Sequence, residues 1–250
     1  TVRCWGEDAA SLSLPGQAQT YHSIALGARH ACARYGNNGS VTCWGDNAQG
    51  QLSAPAGDAH NMVVSSGNTS CALQIGTGAI CWGETRASKP VSTSIFGAGS
   101  IRAGTAHTCQ SRANGGVNCW GDDSFGQATP IRSNVRAFDV SGDHGCAIAG
   151  DGGLRCWGDD THAGSMPPAG RVRTLDAGQF NGCAVAGNGT VGCWGWNANG
   201  QGVAPTGAFR SVATGLNHSC GIRDDGTLAC WGYDADGQST PPAGQFTTVE

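Results

Sequence analysis

The cysteines are the residues of this 250-residue chain with the clearest chemistry. Thirteen are present, and twelve of them form six pairs whose members lie ten or eleven positions apart. Such pairs could be disulfides, buried thiols or metal ligands, but no second pair lies nearby to complete a four-ligand zinc site. So many cysteines suit an oxidising compartment. We predict six disulfides, with Cys4 left outside them: Cys32–Cys43, Cys71–Cys81, Cys109–Cys119, Cys146–Cys156, Cys183–Cys193 and Cys220–Cys230.

Histidine is the other residue type that could bind a metal or catalyse. Four histidines precede a cysteine by two positions, and a threonine and an asparagine stand there in the other two units: His30, Thr69, His107, His144, Asn181 and His218. A group that hydrogen-bonds the backbone of a neighbouring unit explains this exchange better than a metal ligand does. The chain lacks a nucleophile elbow, a phosphate loop, a zinc-protease motif and an EF-hand loop. We therefore predict a protein that is not an enzyme and holds no metal and no cofactor.

A tandem repeat positions these residues. The tripeptide Cys-Trp-Gly occurs seven times at intervals of 37 to 39 residues, starting at Cys4, Cys43, Cys81, Cys119, Cys156, Cys193 and Cys230. Each interval holds a polar loop, a proline, short apolar stretches and a turn, without helical periodicity. Units of this length with about four strands are typical of propeller blades, and the capping units that an open solenoid needs are missing. We predict an all-β, seven-bladed β-propeller forming one domain over residues 1–250.

The hairpin that carries each cysteine pair can be interpreted residue by residue. In the last unit, a three-residue loop with Gly226 in the left-handed conformation closes the hairpin. Cys220 then faces Cys230, and Ile222 faces Leu228 on the same side. Each disulfide therefore lies within one blade and closes a loop of about 11 residues, worth roughly 2.5–3 kcal/mol in the chain-entropy account.

The seventh blade is predicted to be incomplete. It is assembled from both ends of the chain, and about 24 residues lead from Cys230 through Glu250 and Thr1 to Cys4, where about 37 are expected. The missing stretch is the one that would carry the second cysteine of this blade. An open sheet edge at this place could accept a strand from a neighbouring chain.

Composition limits the classes of function. The formal net charge is −4, Lys89 is the one lysine, and 13 arginines are scattered singly, so there is no basic patch for nucleic acid. No apolar run approaches the roughly 20 residues of a membrane span. The cysteine content favours a chain that is secreted, periplasmic or on the cell surface.

The repeated pattern resembles a known superfamily. Gly-x-x-His-x-Cys-(Ala or Gly), then Asp-Gly, then Cys-Trp-Gly-x-(Asn or Asp)-x-x-Gly-Gln is similar to the repeats of the regulator of chromosome condensation superfamily, in particular its secreted, Cys-rich bacterial members. The fold also resembles the propeller-type β-lactamase inhibitor and Crinkly-type receptor ectodomains. The resemblance implies a propeller and leaves function open, because the superfamily includes exchange factors, light sensors, inhibitors and receptors. The inhibitor relatives carry aromatic contacts just before the histidine position, where this chain has only Phe180.

Antiparallel topology sorts the loops onto two faces. The loop after Cys-Trp-Gly and the loop before the other cysteine emerge together on what we call the two-loop face, and the Asp-Gly turns form the opposite, hairpin-turn face. The two positions after Cys-Trp-Gly hold nine of the 18 acidic residues. The second position is nearly always Asn or Asp, which is typical of side chains that bond to loop backbone. The first position is freer, and its acidic residues are candidate contacts for a basic partner: Glu7, Asp46, Glu84, Asp122 and Asp159.

Aromatic residues are the second set of candidates on the two-loop face. They are Phe125, Phe180, Trp196 and Tyr233, and the last two occupy equivalent positions in adjacent units, where they could form a ledge. We predict a secreted propeller that binds a protein or other macromolecule through this face. The alternatives are a subunit of a surface assembly completed by strand donation into the seventh blade, a lectin that binds a glycan on the same aromatics, and an inhibitor of a secreted enzyme.

Overall fold

The fold consists of strands and turns. The computed structural model describes residues 4–5, 20–57, 60–74, 78–84, 100–112, 114–131, 134–162 and 166–249, and the structural statements below concern these residues. They form six antiparallel sheets of three strands, each in chain order. Within them there is no helix long and apolar enough to cross a membrane.

Each sheet is one blade, numbered here from 1 to 6 along the chain. The strands are β1 Tyr21–Leu26, β2 His30–Tyr35 and β3 Ser40–Gly45; β4 His60–Ser66, β5 Thr69–Gln74 and β6 Gly78–Gly83; β7 Ile101–Ala103, β8 His107–Ser111 and β9 Val117–Gly121; β10 Val135–Ser141, β11 His144–Ala149 and β12 Leu154–Gly158; β13 Val172–Ala177, β14 Asn181–Ala186 and β15 Val191–Gly195; β16 Phe209–Thr214, β17 His218–Arg223 and β18 Leu228–Gly232. The first strands of successive blades lie against one another, so the Cys-Trp-Gly strand is the outer one.

The six predicted disulfides and their register are confirmed. Cys220 pairs with Cys230 and Ile222 with Leu228 across β17 and β18, and Gly226 has a φ of 89°. The other five bridges join the same two strands of their own blades. In every pair the cysteine of the middle strand is buried and that of the outer strand is half-buried or partly exposed, so each bridge links the blade interior to its outer edge.

The expectation of about four strands per unit is wrong for the described blades, which have three. Where a fourth strand would begin, side chains close the backbone into turns instead. Asn47 Oδ1 accepts a hydrogen bond from the Leu52 N–H at 2.9 Å, and Asp123 Oδ1 accepts one from the Ala128 N–H at 2.7 Å. A proline then follows, and it lacks the backbone N–H that would donate a hydrogen bond to a neighbouring strand. This segment of the unit is therefore a loop.

The tryptophan of Cys-Trp-Gly joins neighbouring blades. Trp157 of blade 4 packs in one cluster with Cys109 of blade 3, and Trp194 of blade 5 packs with Cys146 of blade 4. The indole N–H of Trp157 also donates to the Gln127 carbonyl of blade 3 at 2.9 Å. Equivalent bonds run from Trp82 to Gln51 and from Trp231 to Gln201, both at 2.8 Å. The cysteine therefore stabilises its own blade, while the tryptophan binds the blade before it.

The same bond places the N-terminal tripeptide in the ring. Trp5 Nε1 donates to the Gln238 carbonyl at 3.0 Å, as the tryptophan of a blade following blade 6 should. Trp5 thus occupies the seventh position, next after Trp231, and the fold is a seven-bladed propeller. Residues 233–249 lie beside it without forming a strand, in agreement with an incomplete seventh blade. The rest of the N-terminal unit, residues 6–19, lies outside the described residues.

The glycine of Cys-Trp-Gly has a positive φ in all six blades. Gly195 shows why: its φ is 87°, and a Cβ built on it would lie 2.4 Å from the Phe180 carbonyl oxygen. An L-residue would suffer both an unfavourable backbone conformation and a clash with backbone. The tripeptide therefore needs glycine so that the loop after it can lie against the neighbouring loop.

We expect Gly195→Ala to lower the free energy of unfolding by about 3 kcal/mol, the upper end of the range for a strained backbone position. Urea denaturation of the oxidised chain measures this. Gly187→Ala is the matched control, because Gly187 lacks a positive φ and a Cβ there would meet no atom within 4 Å. Equal losses in the two variants would contradict the steric explanation.

Candidate functional site

The two loops of the two-loop face are hydrogen-bonded to each other in every described blade. The residue after Cys-Trp-Gly donates its backbone N–H to a carbonyl in the loop that precedes the middle strand, at 2.8–3.0 Å. The pairs are Asp46–Arg29, Glu84–Asn68, Asp122–Ala106, Asp159–Asp143, Trp196–Phe180 and Tyr233–Asn217. The side chains that follow Cys-Trp-Gly therefore emerge beside those of the second loop, as the topology predicted.

The acidic residues of the first position are less free than we expected. Asp46 Oδ2 accepts a hydrogen bond from Gln51 Nε2 at 3.2 Å, and Asp122 Oδ2 accepts one from Gln127 Nε2 at 3.0 Å. The glutamines are fully buried. A hydrogen bond from Ser124 is the main cause that lowers the pKa of Asp122. These carboxylates are negative and support their own loops, and they stay predicted partner contacts.

The other acidic candidates differ in their surroundings. Asp159 accepts a hydrogen bond from the Thr161 N–H at 2.9 Å, and its pKa is lowered mainly by bonds from Thr161. Glu84 is half-buried. Glu7 lies outside the described residues. The sequence interpretation missed Asp143, in the loop before β11. Burial raises the pKa of Asp143, and the nearby carboxylates of Asp122 and Asp159 raise it further, so negative charge concentrates above blades 3 and 4.

An aromatic cluster crosses the boundary between blades 4 and 5. His162, from the loop after β12, lies with its ring centroid 5.3 Å from that of Phe180 and 4.9 Å from that of Trp196. Phe180 and Trp196 come from the two loops of blade 5 and are 36% and 39% exposed. We call these three residues the aromatic cluster. His162 does not occupy the recurring histidine position, and only the rotation between blades brings its loop onto the next one.

The other predicted aromatics are exposed on the same face. Phe125 is 55% exposed above blade 3, and Tyr233 is 41% exposed above blade 6. The ring contact of Trp196 is with His162, and a ledge shared with Tyr233 stays a prediction. Leu216, in the second loop of blade 6, is also exposed, which extends the apolar surface beyond the aromatic cluster.

The recurring histidines lie between the blades. His30 Nε2 is 2.7 Å from Ser70 Oγ of blade 2, a side-chain partner where we expected backbone. Neither ring nitrogen of His107 has a hydrogen-bond partner among the described residues. Burial lowers the pKa of His107 and of His144 to about 4, so both rings are neutral at pH 7. The described part of the chain contains no group of three residues that could hold a metal ion.

The arginines, scattered in sequence, collect on the hairpin-turn face. Eight of them lie at strand ends or turns on that side: Arg34, Arg112, Arg136, Arg155, Arg171, Arg173, Arg210 and Arg223. Three carboxylates accompany them there, Asp151, Asp224 and Asp225. The two-loop face carries nine described carboxylates, namely Asp46, Glu84, Asp122, Asp123, Asp143, Asp159, Asp160, Asp234 and Asp236, and one described arginine, Arg29. The two faces therefore have opposite charge.

Comparison with known families agrees with this architecture. Residues 21–51 and 209–238, in blades 1 and 6, match the family model of the regulator of chromosome condensation (RCC1) repeat. A search of curated protein sequences found no match. The chain thus has an RCC1-type propeller repeat fold.

Solved structures show the same fold at low identity. The ectodomain of the receptor kinase CR4 from Physcomitrella patens has a TM-score of 0.77 and 22% identity; the match covers 94% of this chain and 66% of that one, just under two thirds. The Arabidopsis thaliana ACR4 ectodomain has a TM-score of 0.73 and 22% identity, over 95% and 89%. Saccharomyces cerevisiae Prp20p, described with its binding to Gsp1p and histones, has a TM-score of 0.73 and 17% identity, over 90% and 75%. Similarity at this level establishes the fold alone.

Proposed function

We propose that this chain is a non-enzymatic binding protein of a secreted, periplasmic or cell-surface setting that recognises a protein partner through its two-loop face. The six disulfides support an oxidising compartment. The propeller neighbours include receptor ectodomains and a protein described as binding other proteins, and we extend that role to this chain.

The observation that carries the proposal is the aromatic cluster. Phe180 and Trp196 expose more than a third of their surface although each contacts His162. Rings held by neighbours lose little conformational entropy on binding, and exposed tryptophan is the residue type most often found as an interface anchor. The blades beneath these loops are regular and cross-linked by disulfides. Such a rigid scaffold favours loops that carry the recognition function.

Binding fits the face better than catalysis does. The carboxylates that could act as acids or bases, such as Asp46 and Asp122, accept hydrogen bonds from buried glutamines of their own loops. These hydrogen-bonded carboxylates stabilise the shape of their loops and supply negative charge, which attracts a partner with a basic surface.

The test is quantitative capture from the extracellular fraction of the source organism. We expect the immobilised wild-type chain to enrich a defined set of proteins, and Phe180→Ala/Trp196→Ala to reduce their recovery by at least tenfold, because loss of an interface anchor typically costs about 2 kcal/mol or more. Label-free mass spectrometry measures the recovery.

Val203→Ala is the matched control, since Val203 is 66% exposed in the loop after β15 but outside the aromatic cluster. It should capture the same set as the wild type. Unchanged capture by the double variant, or an equal loss in the Val203→Ala control, would contradict recognition through the aromatic cluster.

A further inference from the structure

We propose that copies of this chain associate head to tail, with the two-loop face of one propeller resting on the hairpin-turn face of the next. The inference goes beyond partner binding and rests on the separation of charge between the two faces. The molecule that docks on each face is a second copy of the chain, because one face carries an excess of negative charge and the other an excess of positive charge.

The two-loop face supplies the negative surface. Asp46, Asp123, Asp160, Asp234 and Asp236 are exposed there. Asp143 is half-buried, and its pKa is raised by burial and by the nearby carboxylates of Asp122 and Asp159, so like charges lie close together on this face. A cation brought by another molecule would therefore relieve repulsion as well as gain attraction.

The hairpin-turn face supplies that cation. Arg136, Arg173 and Arg210 occupy equivalent positions, the second residue of the first strand, in blades 4, 5 and 6, and all three are exposed. The Arg173 and Arg210 guanidinium groups donate to the Phe209 and Phe246 carbonyls, which holds them in place around the ring. Five N–H donors per guanidinium leave donors for a facing carboxylate.

The faces also match in apolar chemistry. Arginine stacks on aromatic rings, as Arg223 does within the chain, where its guanidinium carbon lies 4.8 Å from the ring centroid of the buried Phe209. Phe180 and Trp196 offer such faces to an incoming arginine. The contact joins two different surfaces, so it does not close on itself and extends into a stack.

The experiment is sedimentation equilibrium of the 250-residue chain with two face-specific charge variants. Arg136→Glu/Arg171→Glu changes the hairpin-turn face at two exposed arginines outside the guanidinium–carbonyl bonds. Asp160→Lys/Asp236→Lys changes the two-loop face and leaves the aromatic cluster intact. Circular dichroism and intact mass with six disulfides confirm that each variant folds.

We expect the wild-type chain to form concentration-dependent oligomers at about 20 mM salt and single chains at about 0.5 M, because screening removes attraction between exposed charges. Each variant alone should associate much more weakly than the wild type at low salt, since two charges on one of its faces are reversed. An equimolar mixture should associate more strongly than either variant alone, because the unchanged two-loop face of one variant can meet the unchanged hairpin-turn face of the other.

A wild-type chain that stays single at low salt overturns the proposal. Variants that oligomerise alone as strongly as the wild type, or a mixture that associates no more strongly than the variants alone, also overturn it. The proposed partner binding is tested separately by the Phe180→Ala/Trp196→Ala double variant, which carries no charge change, so failure of one proposal is distinguishable from failure of the other.

Discussion

Reduction of the six disulfides will unfold the propeller at neutral pH and room temperature. Each bridge spans 10 or 11 positions, and the chain-entropy account gives about 2.8 kcal/mol for a loop of that size. Six such contributions total about 17 kcal/mol, which exceeds the roughly 5–15 kcal/mol by which a domain is usually stable. The reduced chain should therefore lose its β-sheet circular dichroism in buffer, whereas the oxidised chain should lose it only in denaturant.

Removal of a single bridge measures one of these contributions. Cys146→Ala/Cys156→Ala should lower the free energy of unfolding by about 3–5 kcal/mol, the entropic part plus lost packing. The packing part arises because Cys146 is fully buried in a cluster with Trp194 of the next blade. Guanidinium denaturation under oxidising conditions gives the value.

Cys4→Ser is the control for this series. It removes the cysteine outside the six bridges, so its denaturation midpoint should stay within error of the wild type. One result would contradict the prediction that the bridges stabilise the fold. If thiol alkylation and mass spectrometry show all thirteen cysteines reduced while the wild-type midpoint is unchanged, the bridges do not carry the stability.

The intrablade geometry was predictable because it is local. The ten-residue spacing of Cys220 and Cys230 around one glycine turn leaves one register in which both cysteines and both apolar residues share a face, and that register is observed. The strand count was not predictable from spacing. The number of strands depends on the side chains of Asn47 and Asp123, which close loops by hydrogen bonds to backbone. In the sequence alone, a polar residue that precedes a proline is compatible with the end of a strand as well as with a turn.

Contacts between blades were beyond the sequence argument because they depend on the rotation from one blade to the next. The cluster of His162 with Phe180 and Trp196 joins loops 18 and 34 positions apart along the chain. The acidic part of the charge separation followed from antiparallel topology, because the acids recur after Cys-Trp-Gly. The arginines look scattered along the chain, and their common face became evident only once the structure gave the ends of the strands.

Acidification from pH 7 to pH 4.5 will destabilise the oxidised propeller, because two buried histidines must be neutral in the folded state. Burial lowers the pKa of His107 and of His144 from 6.5 to about 4. Below pH 6.5 the unfolded chain binds protons at these two histidines that the folded chain does not bind. The stabilisation that these rings provide is thus complete above pH 6.5 and is lost as the pH falls toward 4. Each ring accounts for about 2–3 kcal/mol over this window.

Other buried groups also contribute to the pH dependence. Burial also lowers the pKa of His30 and His218, which adds to the loss. Burial raises the pKa of Asp139 and Asp143, and a raised carboxyl pKa stabilises the fold as the pH falls, so these two groups offset part of it. The histidine part is therefore measured by a variant that removes His107 and His144 and leaves these carboxyls in place.

His107→Asn/His144→Asn should reduce the loss of stability between pH 7 and pH 4.5 by about 4–6 kcal/mol, the sum of the two contributions. Asparagine is the natural residue at the equivalent position of blade 5, Asn181, which is also fully buried, so the substitution uses a side chain that the repeat already accommodates. His22→Asn is the control, because His22 is exposed and its loss should leave the pH dependence of the wild type. Urea denaturation at pH 7, 5.5 and 4.5 gives the slope. If the double variant and the wild type lose stability in parallel, the destabilisation by acid originates outside these two buried imidazoles.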